Sequence, residues 1–219
     1  MKFIGTKELE TERLLLRKVT INDAEKAFEE WCSKSEVEKY VTWSKHKNVE
    51  VTKNLFRIWE EDYKDLSTFR WIVELKDTKE VIGTIDVASK KYLRYGACEI
   101  GYCYGPKFWG NGYATEALKA VIKYLFEECE ASVVYAEFMH NNPASGEVMK
   151  KSGMKYEGRL LKLGINANTG KAIRQSFSGK SKEVVLEKLK NQFIKNKEEG
   201  IKETIYTPNE TSILELANE

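Results

Sequence analysis

The stretch KFWGNGYATEAL, residues 107–118, sets Gly110 and Gly112 directly before Tyr113–Glu128, where Ala117, Leu118, Val121, Ile122, Leu125 and Phe126 recur at helical spacing. Glycine weakens a helix interior, but just ahead of a helix it lets the backbone turn tightly or approach a ligand closely. The first turn of that helix carries N–H groups without partners and a partial positive charge, so an anion is the natural guest. A dinucleotide fingerprint, G-x-G-x-x-G, would need a third glycine where Thr115 stands. A P-loop would need Gly-Lys-Ser/Thr, but Tyr113 and Ala114 follow Gly112. What remains is a pyrophosphate cradle between a strand and a helix N-terminus, or a plain strand-to-helix turn.

The pattern on either side of this turn sets the fold class. Residues 13–19 read as a first strand; Thr20 and Asp23 mark a helix start, and Ala24, Ala27, Phe28 and Trp31 place a helix over 22–32. A second helix spans 49–63, with Asn48 as its cap. Phe69, Trp71, Val73 and Leu75 then alternate as one buried face of a strand, 81–88 returns, and 97–104 completes an antiparallel meander. A fifth strand covers 131–138. Asn142-Pro143 opens a short helix that stops at Gly153. Residues 154–166 and 171–178 form a closing hairpin about Asn168-Thr169-Gly170. This order predicts an α+β fold with flanking helices and a mostly antiparallel central sheet of about seven strands.

Composition narrows the partners. The 36 basic and 34 acidic residues leave a formal charge of +2, which does not argue for a nucleic acid or other polyanion. Cys32, Cys98, Cys103 and Cys129 contain no C-x-x-C pair, and His46 and His140 are too few for a zinc cluster, so no metal is expected. No apolar run suits a signal peptide or a membrane span, which points to a soluble cytoplasmic chain.

The segment EIGYCYGPKFWGNGYATEALKAVIKYLF, followed 14 residues later by NNPASGEVMKKSGMKYEG, resembles the GCN5-related N-acetyltransferase (GNAT) superfamily. It is similar in particular to the branch of ribosomal-protein alanine acetyltransferases, as is the opening ETERLLLRKVTINDA; the resemblance covers about residues 9–161. It implies acetyl-CoA as co-substrate, and a sheet whose cofactor-binding strand pair splays apart. The family's pyrophosphate loop falls on Lys107, Trp109, Gly110, Asn111 and Gly112, with lysine in place of the usual glutamine or arginine. Tyr113, Ala114 and Thr115 would offer first-turn N–H groups to the phosphates, and the backbone of Tyr102, Cys103 and Tyr104 would hold the pantetheine arm. Asn142 is either a helix cap or a partner of that arm. Ser145 stands where this branch places a serine near the cofactor sulfur as general acid.

Acetyl transfer to an amine needs a base, and Glu99, on the cradle strand, is the candidate, with Asp86 a weaker one; a salt-bridged strand carboxylate is the plainer reading of Glu99. Tyr40, Trp43 and His140 are candidates for the acceptor side. The acceptor is expected to be a protein or peptide N-terminus. A polyamine, antibiotic or amino acid is the alternative, and a weakly catalytic acyl-CoA-binding module stays open because the last strand lacks the family's Val-x-x-Tyr. The acetyltransferase domain is assigned to residues 9–178, and residues 179–219 to a helical extension and tail, expected to dock on its own chain, to mediate a homodimer or to stay partly disordered.

Overall fold

The computed structural model describes residues 1–139, 141–165 and 172–178, with side chains described as far as residue 157. His140, the hairpin turn at 168–170 and the extension at 179–219 lie outside the described residues. Among the described residues eight strands form one sheet: β1 (Leu9–Glu10), β2 (Leu14–Arg17), β3 (Arg70–Leu75), β4 (Val81–Ser89), β5 (Ala97–Tyr104), β6 (Val133–Phe138), β7 (Lys155–Ile165) and β8 (Ala172–Ser178). Their spatial order is β1-β2-β3-β4-β5-β6-β8-β7. That is one strand more than expected, because the two-residue β1 pairs with β2. The closing hairpin forms, with β8 inserted between β6 and β7. Among the described residues only the β5–β6 pairing is parallel, which follows from the helical crossover that joins those strands.

Helices cover both faces. Against one lie α1 (Ala24–Ala27), α2 (Ser35–Glu38) and α3 (Val49–Asp62), in a core of Ala27, Trp31, Phe56 and Ile72. Against the other lie α4 (Tyr113–Glu127) and α5 (Pro143–Lys151), over Leu14, Trp71, Ile85, Ile100 and Val134. Two expectations need correction. The helix at 22–32 is instead a 3-10 turn at Ile21–Asp23, then α1, then a π turn at Phe28–Cys32. Strand β3 is buried on both faces, not one, because Ile72 is fully covered from the α1–α3 side. Glu74, 8% exposed, is accommodated there because Arg17 donates to it at 2.9 Å while gripping Asp23 with its two terminal nitrogens at 2.9 and 2.7 Å.

The seat of α5 depends on a glycine. A Cβ on Gly146 would stand 2.7 Å from the Phe138 ring of β6, so only glycine lets the helix lie this close to the strand. Gly146→Ala is therefore expected to lose about 1–3 kcal/mol of stability in urea unfolding; a variant as stable as the parent contradicts this packing.

Candidate active site

Strands β5 and β6 register Ala97 with Val133 through Ile100 with Ala136, and there the ladder ends. Both strands continue, β5 to Tyr104 and β6 to Phe138, so the pair splays open at Gly101. On its other side β5 stays paired with β4 throughout the splayed stretch, from Gly83–Tyr104 to Asp86–Gly101, with a register shift only past Val87. The result is a strand edge inside a sheet, with the ends of α4 and α5 beside it.

The glycine turn completes the opening. Gly110 and Gly112 have φ of +79° and +80°, the left-handed region that side chains resist at a cost of about 1–2 kcal/mol. Gly112 is the N-cap residue of α4, and the first helical amide, that of Glu116, donates to Gly112 O at 3.0 Å. The amides of Tyr113, Ala114 and Thr115 precede that bond and have no partner within the helix. No heavy atom lies within 4 Å of a Cβ built on Gly110. Its glycine answers to backbone conformation, not to crowding.

The cation beside the turn is Arg13, which the sequence reading did not single out. Its Nη1 donates to Asn111 O at 3.1 Å, its Nε and Nη2 each reach Glu116 at 2.7 Å, and its guanidinium lies over the Tyr113 ring at 4.6 Å. Glu116 also accepts from Thr11 Oγ1 at 2.6 Å and from the Arg13 amide at 2.9 Å. Burial alone would raise the Glu116 carboxyl, yet these hydrogen bonds outweigh it and hold the group below its ordinary value. Lys107, expected at the pyrophosphate, points elsewhere: its ammonium pairs with Glu30 at 2.9 Å and Glu80 at 2.7 Å. Trp109, 47% exposed, donates its indole N–H to Tyr104 O at 2.8 Å, and Asn111 Nδ2 donates to Trp109 O at 3.2 Å.

Alternation along β5 sorts the remaining residues. Cys98, Ile100, Tyr102 and Tyr104 face α4 and α5, whereas Cys103 packs into the α1–α3 core, so Glu99 and Gly101 face that side too. Glu99 is half-buried and accepts from Tyr135 OH at 3.3 Å, its register partner on β6. Asp86, opposite Gly101, takes Arg70 Nε at 3.3 Å; burial pushes its carboxyl up and Arg70 offsets only part of that. A Cβ on Gly101 would come within 3.3 Å of that carboxylate. Trp43 lies at the margin of the α1–α3 core with its ring 5.5 Å from that of His46, and Tyr40 is half-buried between α2 and α3.

Ser145 lies on the other face, in the first turn of α5. Its Oγ and its carbonyl oxygen are each 2.9 Å from the hydroxyl of Tyr102. Tyr102, expected to contribute backbone alone, thus reaches across the splay with its side chain. Asn142 precedes α5 without capping it: among the described residues its side chain makes no cap bond, while its backbone O accepts from the Ser145 amide at 3.2 Å. The hydroxyl of Tyr104 is buried and, among the described residues, is the one such side-chain atom without a hydrogen-bond partner.

A family model described as an acetyltransferase (GNAT) domain matches residues 13–155. The uncharacterized N-acetyltransferase YoaA of Bacillus subtilis is 35% identical over 154 residues, 69% of this chain and 85% of that protein. The ribosomal protein uS5-alanine N-acetyltransferase of Escherichia coli is 32% identical over 98 residues, 45% of this chain and 50% of that protein. The crystal structure of an acetyltransferase (GNAT family) from Bacillus anthracis, 29% identical, superposes with a TM-score of 0.68 over 78% of this chain and 97% of that one.

The Arg13–Glu116 link yields a pH-dependent test. Glu116→Gln keeps the shape of the side chain but removes its charge, and about 1–3 kcal/mol of stability should go with it at neutral pH. Because the folded carboxyl lies below its unfolded value of about 4.3, its contribution is complete above that value and is lost as pH falls through the folded one. Urea unfolding should show the gap between parent and variant closing in acid; a gap that stays constant down to about pH 3 contradicts the assignment.

Proposed function

The chain belongs to the GNAT acetyltransferase family, and from that premise we propose that it moves the acetyl group of acetyl-CoA to the amino terminus of a protein or peptide, by direct attack and without a covalent enzyme intermediate. One observation carries the reading: the β5–β6 ladder stops at Ile100 and Ala136 beside a left-handed glycine turn that opens α4. The residues present fit the cofactor. The turn leaves first-turn amides for a pyrophosphate, Gly110 leaves its approach open, and the unpartnered Tyr104 hydroxyl sits on the splayed strand.

Acetyl-CoA supplies an activated acyl group with a thiol leaving group. In this proposal Gly110, Asn111 and Gly112, with the amides of Tyr113, Ala114 and Thr115, hold the phosphates, and Trp109 braces the turn through its bond to Tyr104 O. Tyr102, Cys103 and Tyr104 lend the open β5 edge to the arm, and the uncapped side chain of Asn142 is free to meet it. The same edge aims N–H groups at charge developing on the acyl oxygen. Glu99 takes the proton of the attacking amine directly or through one water. Ser145 stands on the opposite face, toward the leaving sulfur. Amine and thiol therefore meet the reacting carbon from opposite sides of one sheet.

The partial match to the uS5-alanine acetyltransferase supports a protein amino terminus as acceptor. A small cationic amine is the second reading. It is favoured by Glu99 and Asp86, two carboxyl groups that face the same side of the sheet. Release of CoA thiol should be measured with peptides beginning in Ala, Ser or Met, and with spermidine, an aminoglycoside and free amino acids. Turnover is expected on the peptides, with Glu99→Gln reducing kcat by about 100-fold or more and leaving acetyl-CoA binding intact. Turnover on spermidine alone selects the second reading, and an unimpaired Glu99→Gln removes Glu99 as the base.

A further inference from the structure

Tyr102 has one phenolic proton and two acceptors for it, Ser145 O and Ser145 Oγ, both at 2.9 Å. When the phenol donates to the carbonyl, its oxygen is left to accept from the serine hydroxyl. When it donates to Oγ instead, the serine proton is released to point into the splay. Nothing in the serine side chain itself chooses between these arrangements, since a hydroxyl rotates freely. We propose that Tyr102 is a positioning residue: with the cofactor bound its phenol donates to Ser145 Oγ and not to Ser145 O, which leaves the serine proton to turn toward the cofactor sulfur. Ser145 then meets the thiolate with a donor already oriented.

The surroundings make this a fixed device. Tyr102 pairs with Ile85 across the intact β4–β5 ladder, so its backbone cannot follow the splay. Ser145 is held on α5 by the close seat of Gly146 on Phe138. Burial pushes the Tyr102 phenol up and keeps it protonated throughout the ordinary pH range, so it serves as a donor. A hydrogen bond to Ser145 Oγ polarises that hydroxyl and strengthens what it can give to an anion. In the transfer, the C–N bond forms as the thioester C–S bond breaks, and the bonding pair stays on sulfur. Glu99 accepts the proton of the amine and returns it to solvent, and the sulfur takes one from solvent. Tyr102 and Ser145 keep their own protons throughout and supply only the hydrogen bond to the developing charge.

This inference rests on the proposed use of acetyl-CoA but not on the acceptor, and it can be read without turnover. Free CoA bound to the protein should be titrated by the ultraviolet absorbance of its thiolate, with wild type, Tyr102→Phe, Ser145→Ala and the double variant. The phenylalanine variant keeps the ring, so it should fold, with thermal melting lowered by only a few degrees for the lost hydrogen bond. The bound thiol is expected to titrate about one pH unit lower in wild type than in Tyr102→Phe. Ser145→Ala and the double variant should share the higher value, because the tyrosine acts through the serine. A Tyr102→Phe titration equal to wild type overturns the proposal, as does a double variant shifted by the sum of the single effects. With a peptide beginning in Ala as acceptor, kcat should fall about tenfold in Tyr102→Phe with KM for acetyl-CoA unchanged. If wild type acetylates no amine while the thiol shift persists, the acceptor reading fails and the positioning role stands.

Discussion

The structure turns on a hydrogen-bond ladder that stops. Between β5 and β6 the parallel pairing runs from Ala97 and Val133 to Ile100 and Ala136, and both strands then continue apart. Backbone N–H and C=O groups seek partners, and an edge within a sheet is a template for a ligand that can supply them. The β4–β5 ladder holds the other side of β5 in register, so the edge keeps its shape without β6. The two helices that follow β5 and β6 start beside the gap, one behind the glycine turn and one behind Asn142.

Strand alternation does the rest of the arrangement. Glu99 and Tyr102 are three residues apart on β5 and so lie on opposite faces. One face, under α1–α3, collects Arg70, Asp86, Glu99 and Tyr135; the other, under α4 and α5, brings Tyr102 to Ser145. A carboxylate and a hydroxyl pair thus stand on opposite sides of a single splayed strand, the arrangement from which the proposed roles of Glu99 and Ser145 are drawn. Arg13 adds a mechanical element, since it fastens the glycine turn to β2 through Asn111 O and Glu116.

Much of this was legible in local sequence. The turn before α4 announced itself through Gly110 and Gly112, and both adopt the left-handed backbone that makes glycine necessary. Strand β5 runs over the expected Ala97–Tyr104, and Asn48 caps α3 by accepting from the Val51 amide at 3.2 Å. These features are set within a few residues of chain. Long-range contacts were not legible. Lys107 pairs with Glu30 and Glu80, and Arg13 reaches the turn from the bend ahead of β2, 98 residues away along the chain. The burial of Ile72 and Glu74 follows from a helical layer that the period-two pattern of β3 does not encode. Asn142-Pro143 opens α5 as expected, and Asn142 stands at the N-cap position with its backbone O, not its side chain, accepting from the helix. Pairing of Tyr102 with Ser145 has no sequence signature at all.

The central claim is that the left-handed turn at Gly110 and Gly112 aims the first amides of α4 at the cofactor's phosphates. Calorimetric titration of acetyl-CoA into wild type and Gly112→Ala tests it most directly. The Cβ has room, with only Arg13 Nη2 at 3.5 Å, so the change acts on the backbone at φ +80° and not through a clash. The dissociation constant is expected to rise about tenfold or more as the turn relaxes and the amides lose their aim, a loss of about 1.4 kcal/mol. An unchanged dissociation constant in a folded Gly112→Ala protein would contradict the account.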